Sequence, residues 1–285
     1  MILDWTKRRA KYFDDGFHNT DYAPHPFPDY IKNPSNPFTV CTAVHSETDK
    51  WCGTDSIEKY EQNLLTKPDN WHYRTKDVSY KTNSDGYRAP EWSQVDWSNA
   101  IVLLGCSCTF GVGLAEDETI AHYLEQETGR QVVNLGFPGG SNDLILQNSI
   151  ALLEYFPVPY AVVSNFTPSD RFRFFHKDGY HECGAWVAAS KKHYIKLDNV
   201  NVSDLWKLTN LSEANEIART YYTAQAIKWM WHNKTQYCAI SFFDLSAHYA
   251  RADKFFYIDN AARDDLHPGV ECSRTVATYL KSVIK

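Results

Sequence analysis

The sequence predicts an α/β protein of three layers, in which a parallel sheet of about five strands lies between two layers of helices. Two observations support this fold class. From Asn99 onward, apolar runs typical of buried strands alternate with segments of helical length. Turns rich in small residues follow the first two apolar runs, at the edge of the sheet where ligands bind in such folds.

Four segments are predicted as strands of the sheet. Residues 100–104 form a continuous apolar run that ends at Gly105, which indicates a strand buried on both faces. The other three predicted strands cover residues 131–135, 160–166 and 236–242.

Helices are predicted between these strands. Residues 117–128 carry acidic side chains in the first turn and end at Gly129, which favours a helix there. Pro268 is expected at the first position of the last helix. The remaining predicted helices cover residues 56–65, 141–155 and 212–232. This alternation of strands and helices predicts a flavodoxin-like sandwich.

The first 98 residues differ from the rest of the chain. They are rich in Pro, Asn, Asp, Tyr and Trp and show little periodicity, apart from the helix at 56–65 and a strand–turn–strand over 80–88. We therefore expect a loop-rich N-terminal cap over residues 1–98 and an α/β domain over residues 99–285. Residues 171–210 are aromatic and are predicted to be an irregular insertion in that domain.

Composition argues against several classes of protein. The chain has 29 Lys and Arg against 35 Asp and Glu, a net charge of −6. This balance disfavours nucleic-acid and anionic-membrane partners, which bind clustered cations. The seven cysteines include no CxxC pair, so no zinc ribbon or thioredoxin-like motif is expected.

The chain also lacks the usual signals for export or membrane insertion. No uncharged apolar run approaches the ~20 residues that cross a bilayer. The N-terminus turns charged before an apolar signal-peptide region could form. The expectation is a cytoplasmic or virus-associated protein that needs no metal and no cofactor.

A serine lies on the turn after the first predicted strand. Residues 105–111 read Gly-Cys-Ser-Cys-Thr-Phe-Gly, with the serine at 107. A serine on a tight strand-to-helix turn projects its hydroxyl from the sheet edge, beside backbone N–H groups that can hold an anion. Ser107 is therefore a candidate nucleophile; a phosphate-binding turn or a plain turn of small residues is the alternative. No GxxxxGK[ST] motif is present, which excludes a Walker nucleotide site.

Two later turns could complete a catalytic site. Asp264 and His267 lie three residues apart, so the carboxylate can bind imidazole Nδ1 and leave Nε2 to take a proton from a serine. The alternative is a helix N-cap beside an exposed histidine. Gly139 follows the second predicted strand, where its N–H could donate to an oxyanion; a turn that needs positive φ would equally require glycine.

Together these motifs resemble the SGNH (GDSL-like) hydrolase superfamily over residues 80–285. The first block of that family, Gly-Asp-Ser-x-Thr-x-Gly, matches residues 105–111 with cysteine in place of aspartate, and its nucleophile falls on Ser107. The glycine of the second block falls on Gly139, and the Asp-x-x-His of the fifth falls on Asp264 and His267. Residues 82–88 are similar to a hairpin that precedes the core in many bacterial members.

The third block of the family departs from its pattern in this chain. In the family, Gly-x-Asn-Asp supplies an asparagine that donates to the oxyanion. Here residues 164–170 read Ser-Asn-Phe-Thr-Pro-Ser-Asp, and alignment without gaps puts Ser169 on that asparagine, with Thr167 and Asn165 as alternatives. Because loss of an oxyanion donor costs ~10²–10³ in rate, the departure also allows a weak enzyme.

The resemblance implies a serine esterase that hydrolyses small acyl esters, such as O-acetyl groups on a carbohydrate. Its triad would be Ser107, His267 and Asp264, and its oxyanion hole would combine Ser107 and Gly139 with Ser169. The partner would be a small-molecule or glycan ester. Two alternatives stay open, an acyltransferase with the same triad and a glycan-binding or structural protein of weak catalytic power. The sequence does not define the oligomeric state.

Overall fold

A computed structural model describes residues 49–176, 179–186, 196–197 and 200–285, all within one compact unit. The predictions for residues 1–48 lie outside the described residues. One sheet dominates the part that is described. Its strands, in chain order, are β1 (Ile101–Gly105), β2 (Val132–Gly136), β3 (Ala161–Phe166), β4 (Gln236–Ser241) and β5 (Lys254–Phe255).

The strands of this sheet are all parallel and lie in the order β2-β1-β3-β4-β5. This is the strand order of flavodoxin-like sheets, so the predicted fold class is confirmed. Every residue of β1, β2 and β3 is buried, as expected for parallel strands with a layer of helices on each face. The boundaries of β1 to β4 differ from the predicted ones by at most one residue at each end, and β5 was not among the predicted segments.

Eight helices are used in the description below. In chain order they are α1 (Ile57–Thr66), α2 (Ser107–Phe110), α3 (Ile120–Thr128), α4 (Asn142–Tyr155), α5 (Val202–Thr209), α6 (Glu213–Trp231), α7 (Asp244–Ala250) and α8 (Val270–Val283).

Two hydrophobic cores lie on opposite faces of the sheet. Side chains alternate along β1, so Val102 and Leu104 point to one face, while Ile101 and Leu103 point to the other. The first face packs against α4 and α6, and the second packs against α3 and α8. This alternation produces the three predicted layers.

The last helix starts later than predicted. Gly269 is its N-cap and is extended, with φ −88° and ψ −167°, and its N–H donates to the carbonyl of Asn260. Pro268 therefore lies before the helix and not at its first position, where we predicted it. It forms an isolated β-bridge with Ala261, which fixes the entry of the chain into α8.

Where the structure describes it, the segment 171–210 is more regular than predicted. Phe172–His176 and Gly179–Cys183 form an antiparallel hairpin, Lys196–Leu197 pairs with Val200–Asn201, and α5 follows. The hairpin forms because buried Arg173 pairs across it with Glu182, while Phe172 and Cys183 pack together on the other face. The sequence does not predict this hairpin, because aromatic side chains occupy positions on both of its faces.

Residues 80–88 form the predicted turn without the predicted strands. The N–H of Asn83 donates to the carbonyl of Tyr87 at 2.8 Å, and Gly86 has a φ of +83°. Tyr80 forms its backbone bridge with Asp49 instead of with the returning segment, so no hairpin ladder develops. The buried guanidinium of Arg88 donates to carbonyls of the α/β layers, which secures this segment against them.

Candidate active site

Ser107 is the first residue of the short helix α2, directly after β1. Glycines on two strands let this helix approach the sheet. A Cβ on Gly105 would lie 2.1 Å from the Thr109 hydroxyl, and a Cβ on Gly136 would lie 2.4 Å from the backbone nitrogen of Phe110. The close packing leaves Ser107 only 7% exposed at the carboxyl end of β1.

Asp264 and His267 lie on a tight turn before α8. One carboxylate oxygen of Asp264, Oδ1, accepts the backbone N–H groups of Leu266 and His267, both at 3.1 Å. Asp265 closes this turn in the left-handed region, with φ +62°. This Asx-type geometry places the carboxylate under the imidazole through bonds within the turn.

The structure brings Ser107, His267 and Asp264 into one hydrogen-bonded line. His267 Nε2 lies 2.8 Å from Ser107 Oγ, and Nδ1 of the same ring lies 2.6 Å from Asp264 Oδ2. Asp264 is fully buried. Burial acts to raise the pKa of its carboxyl group, but the hydrogen bond and charge of His267 outweigh burial and hold that pKa below its usual value.

Thr54 is a further residue of the site, and the sequence analysis missed it. Its hydroxyl donates to Asp264 Oδ2 at 2.6 Å and lies 3.4 Å from His267 Nδ1. Thr54 belongs to the segment predicted as a cap, 53 residues before Ser107. No motif distinguishes it, because a lone threonine before a helix is typical of many loops.

The turn that carries Gly139 lies beside the nucleophile. The N–H of Phe137 donates to the carbonyl of Gly105 at 3.1 Å, and Gly140 closes the turn by donating to Phe137. Gly139 has a φ of +80°, which favours glycine. Among the described residues, the backbone N–H groups of Ser107 and Gly139 donate to no other group. Both donors are therefore free for an anion.

The three candidates for the missing asparagine donate to other groups. The Ser169 hydroxyl donates to Glu216 at 2.9 Å, and the Asn165 amide donates to the Thr109 hydroxyl at 2.9 Å. The hydroxyl and N–H of Thr167 both donate to the side-chain oxygen of Asn142. Ser169 and Thr167 thus use their single side-chain donor within the fold. The amide of Asn165 uses one of its two N–H donors there.

Cys106 and Cys108 flank Ser107, the candidate nucleophile, and both are buried. A hydrogen bond from Cys108 lowers the pKa of Cys106, while burial opposes this shift and the charge of Arg171 adds to it. The same hydrogen bond, together with burial, raises the pKa of Cys108, and the charge of Arg171 opposes that rise.

Two general features of the described residues bear on the kind of site. They contain no group of three or more His, Cys, Asp or Glu side chains arranged to hold a metal ion. None of their helices combines the length and apolar character that a bilayer crossing requires.

Comparison with known proteins gives a structural likeness only. No protein-family model and no curated protein matches the chain. A solved lipolytic-type protein of the G-D-S-L family from Desulfitobacterium hafniense is 11% identical, with 65% of this chain and 99% of that chain covered and a TM-score of 0.40.

Two further solved structures are similar at the same level. A carbohydrate esterase family 2 enzyme from Corynascus thermopiles (Myceliophthora fergusii), which carries a carbohydrate-binding domain, is 13% identical over 71% of this chain and 69% of that chain, with a TM-score of 0.39. An esterase of the SGNH-hydrolase family is 14% identical over 67% of this chain and 97% of that chain, with a TM-score of 0.34. Solved members of the SGNH and G-D-S-L families are thus among the proteins to which this chain is similar.

Proposed function

We propose that the protein is a serine esterase that removes small acyl groups, such as O-acetyl groups of a carbohydrate. One observation carries the proposal, the unbroken line of hydrogen bonds from Ser107 Oγ through His267 to Asp264, at 2.8 Å and 2.6 Å. This geometry lets an imidazole take a proton from a hydroxyl while a carboxylate fixes the tautomer of the ring.

The proposed reaction has two halves. In the first, His267 Nε2 takes the proton of Ser107 as Oγ bonds to the ester carbonyl carbon, and the carbonyl oxygen becomes an oxyanion. When the tetrahedral intermediate collapses, the C–O bond to the alcohol breaks and His267 protonates the leaving alcohol. In the second half, His267 deprotonates a water that attacks the acyl-enzyme, which releases a carboxylic acid and restores Ser107.

The surroundings of Ser107 support a small acyl group and a ring-shaped alcohol. Ser107 is 7% exposed, and we infer that a small acyl group reaches its hydroxyl more easily than a long chain does. The Trp186 ring lies 3.6 Å from the place where a side chain on Gly139 would begin. An aromatic face at that position can stack on a sugar ring.

Hydrolysis of p-nitrophenyl acetate, butyrate and octanoate by the wild type and by Ser107→Ala tests the proposal. We expect a preference for acetate and a loss of ~10³-fold or more in kcat for the variant, because serine acts with histidine as one unit. Ser282→Ala, an exposed serine on α8, is the matched control and should keep the wild-type rate.

Two results would contradict the proposed hydrolysis. Equal rates for the wild type and Ser107→Ala would exclude Ser107 as the nucleophile. Failure of a folded wild type both to turn over any ester and to react with a serine-directed organophosphonate would favour a binding protein. An acyl product that forms only with an added sugar acceptor would instead assign the same triad to acyl transfer.

A further inference from the structure

The site has two free backbone donors and lacks an evident third. Family members of this type use an asparagine side chain there. In this chain the hydroxyls of Thr167 and Ser169 donate within the fold, and Asn165, which is buried in β3, commits one of its two amide N–H donors to Thr109. A tetrahedral oxyanion held by two donors is less stabilised than one held by three. A third donor would have to come from another side chain near Ser107 that has unused N–H groups.

Arg171 lies next to the turn that carries Gly139. Its Nη1 is 3.4 Å from the carbonyl oxygen of Gly140, and its guanidinium carbon is 5.1 Å from the centre of the Trp186 ring. Trp186 in turn packs over Gly139. The half-buried guanidinium is thus held between a carbonyl and an aromatic face, at the side of the site where the third donor is missing.

Most hydrogen-bonding capacity of Arg171 is unused. A guanidinium has five N–H donors, and the carbonyl of Gly140 is the single acceptor within reach of this one in the described residues. No carboxylate of the described chain forms an ion pair with Arg171. Its neighbour Arg173 contrasts with it, since that guanidinium is buried and paired with Glu182.

The charge of Arg171 also reaches the two residues that flank Ser107. It acts to lower the pKa of both Cys106 and Cys108, the residues on either side of Ser107, alongside the larger effects of their mutual hydrogen bond and burial. A cation that acts on both neighbours of Ser107 acts on a negative charge formed at Ser107 as well.

We propose that Arg171 supplies the third oxyanion donor, in the place where related hydrolases carry an asparagine. This inference rests on the proposed function, since it requires an acyl carbonyl bound at Ser107. As Oγ attacks, negative charge develops on the carbonyl oxygen, and a guanidinium N–H donates to it together with the N–H groups of Ser107 and Gly139. A charge-assisted hydrogen bond is stronger than one from a neutral amide, so it can replace the amide of asparagine.

Steady-state kinetics on p-nitrophenyl acetate, an uncharged ester, test this role. We expect Arg171→Ala to lower kcat by ~10²–10³, the cost of one oxyanion donor, with KM changed less than about threefold. Arg171→Lys should recover part of kcat, because it keeps the charge without the planar fork. Arg274→Ala, which removes an exposed arginine of α8, is the control and should match the wild type.

A boronic acid adds a second readout, because it forms a tetrahedral adduct on serine. If Arg171 stabilises the oxyanion, Arg171→Ala weakens boronate inhibition by about the same factor as it lowers kcat/KM. A structural role would not produce this parallel, and the thermal midpoints of all variants identify any that fail to fold. If Arg171→Ala does not fold, the same rate and inhibition measurements are made on Arg171→Lys.

The possible failures are distinguishable. If Ser107→Ala abolishes activity while Arg171→Ala keeps its kcat, the role of Arg171 is overturned and the esterase stands. An increase in KM alone, with kcat and boronate affinity unchanged, would overturn it too and make Arg171 a substrate-binding residue. If Ser107→Ala retains full activity, the serine mechanism fails, and the proposed role of Arg171 fails with it.

Discussion

The triad side and the oxyanion side of the site are built in different ways. On the triad side, Asp264 and His267 are three residues apart and bond to each other within one turn. On the oxyanion side, Thr167 bonds to a residue 25 positions away and Ser169 to one 47 positions away. The bond that joins the first pair is local, although Thr54 supports it from a distance, whereas the bonds of the second set are all made to distant groups. Motif spacing is therefore a better guide to a triad than to an oxyanion hole.

The strongest test of the triad side is Asp264→Asn. The amide keeps the size of the carboxylate but favours the wrong imidazole tautomer, so we expect kcat/KM to fall by ~10³–10⁴, as in serine proteases with the equivalent change. Ester hydrolysis at saturating and limiting substrate measures the loss.

Asp265→Asn is the matched control for this change. Asp265 is exposed and pairs with Lys67, and asparagine tolerates its positive φ. Its rate should equal that of the wild type. Comparable activity of Asp264→Asn and Asp265→Asn would show that the buried carboxylate does not orient His267.

A smaller effect is expected from Thr54→Val, which removes the hydroxyl bonded to Asp264 Oδ2. The acceptor is a carboxylate, and a hydrogen bond to a charged group contributes ~1.5–3 kcal/mol, so kcat/KM should fall by about 10- to 150-fold. The variant retains the branched shape of threonine, and Thr54→Ser should restore the rate. A loss in Thr54→Val that Thr54→Ser fails to restore would mean that the methyl group, and not the hydroxyl, is what the site requires.

The smallest effect on rate is expected from Ser169→Ala. Its hydroxyl already donates to Glu216, so its loss should change kcat by less than about twofold, far below the cost of an oxyanion donor. Measuring kcat of Ser169→Ala and Arg171→Ala in the same assay compares the two candidates for the third oxyanion donor. If kcat falls as far in Ser169→Ala as expected for Arg171→Ala, Ser169 would be the third oxyanion donor. Motif alignment would then have identified the oxyanion side as well as the triad side.

The fold was predictable because its signals are local. The apolar run of β1, the glycine stop after α3 and the alternation of strands and helices all lie within short windows of sequence. The hairpin at 171–183 escaped prediction because its stabilising pair, Arg173 with Glu182, is recognised only when the register of the two strands is known. The strand pairing of Tyr80 was wrongly predicted for a related reason, because its backbone partner, Asp49, lies 31 residues away.

For the candidate site, the sequence predicts the members whose signals are local. Ser107, Asp264 and His267 occupy the turns after strands or before a helix, where parallel sheets place such groups. Thr54 and Arg171 could not be found in this way. Each acquires a place at the site only through tertiary contact, Thr54 with Asp264 and Arg171 with the Gly140 carbonyl.

The contact of residues 49–66 with the Asp264 turn has a consequence for any attempt to transplant this chemistry. Besides Thr54, buried Asp55 forms an ion pair with Arg263, the residue before Asp264, at 2.6 Å, and Asn63 donates to the Arg263 carbonyl. Removal of one member of a buried ion pair leaves the other charge uncompensated. A chimera that contains residues 99–285 alone would keep Ser107, His267 and Asp264. In it, Arg263 and Asp264 would lose their contacts with Thr54, Asp55 and Asn63. The junction of a chimera must therefore lie before residue 49, so that residues 49–66 and the Asp264 turn are transferred together.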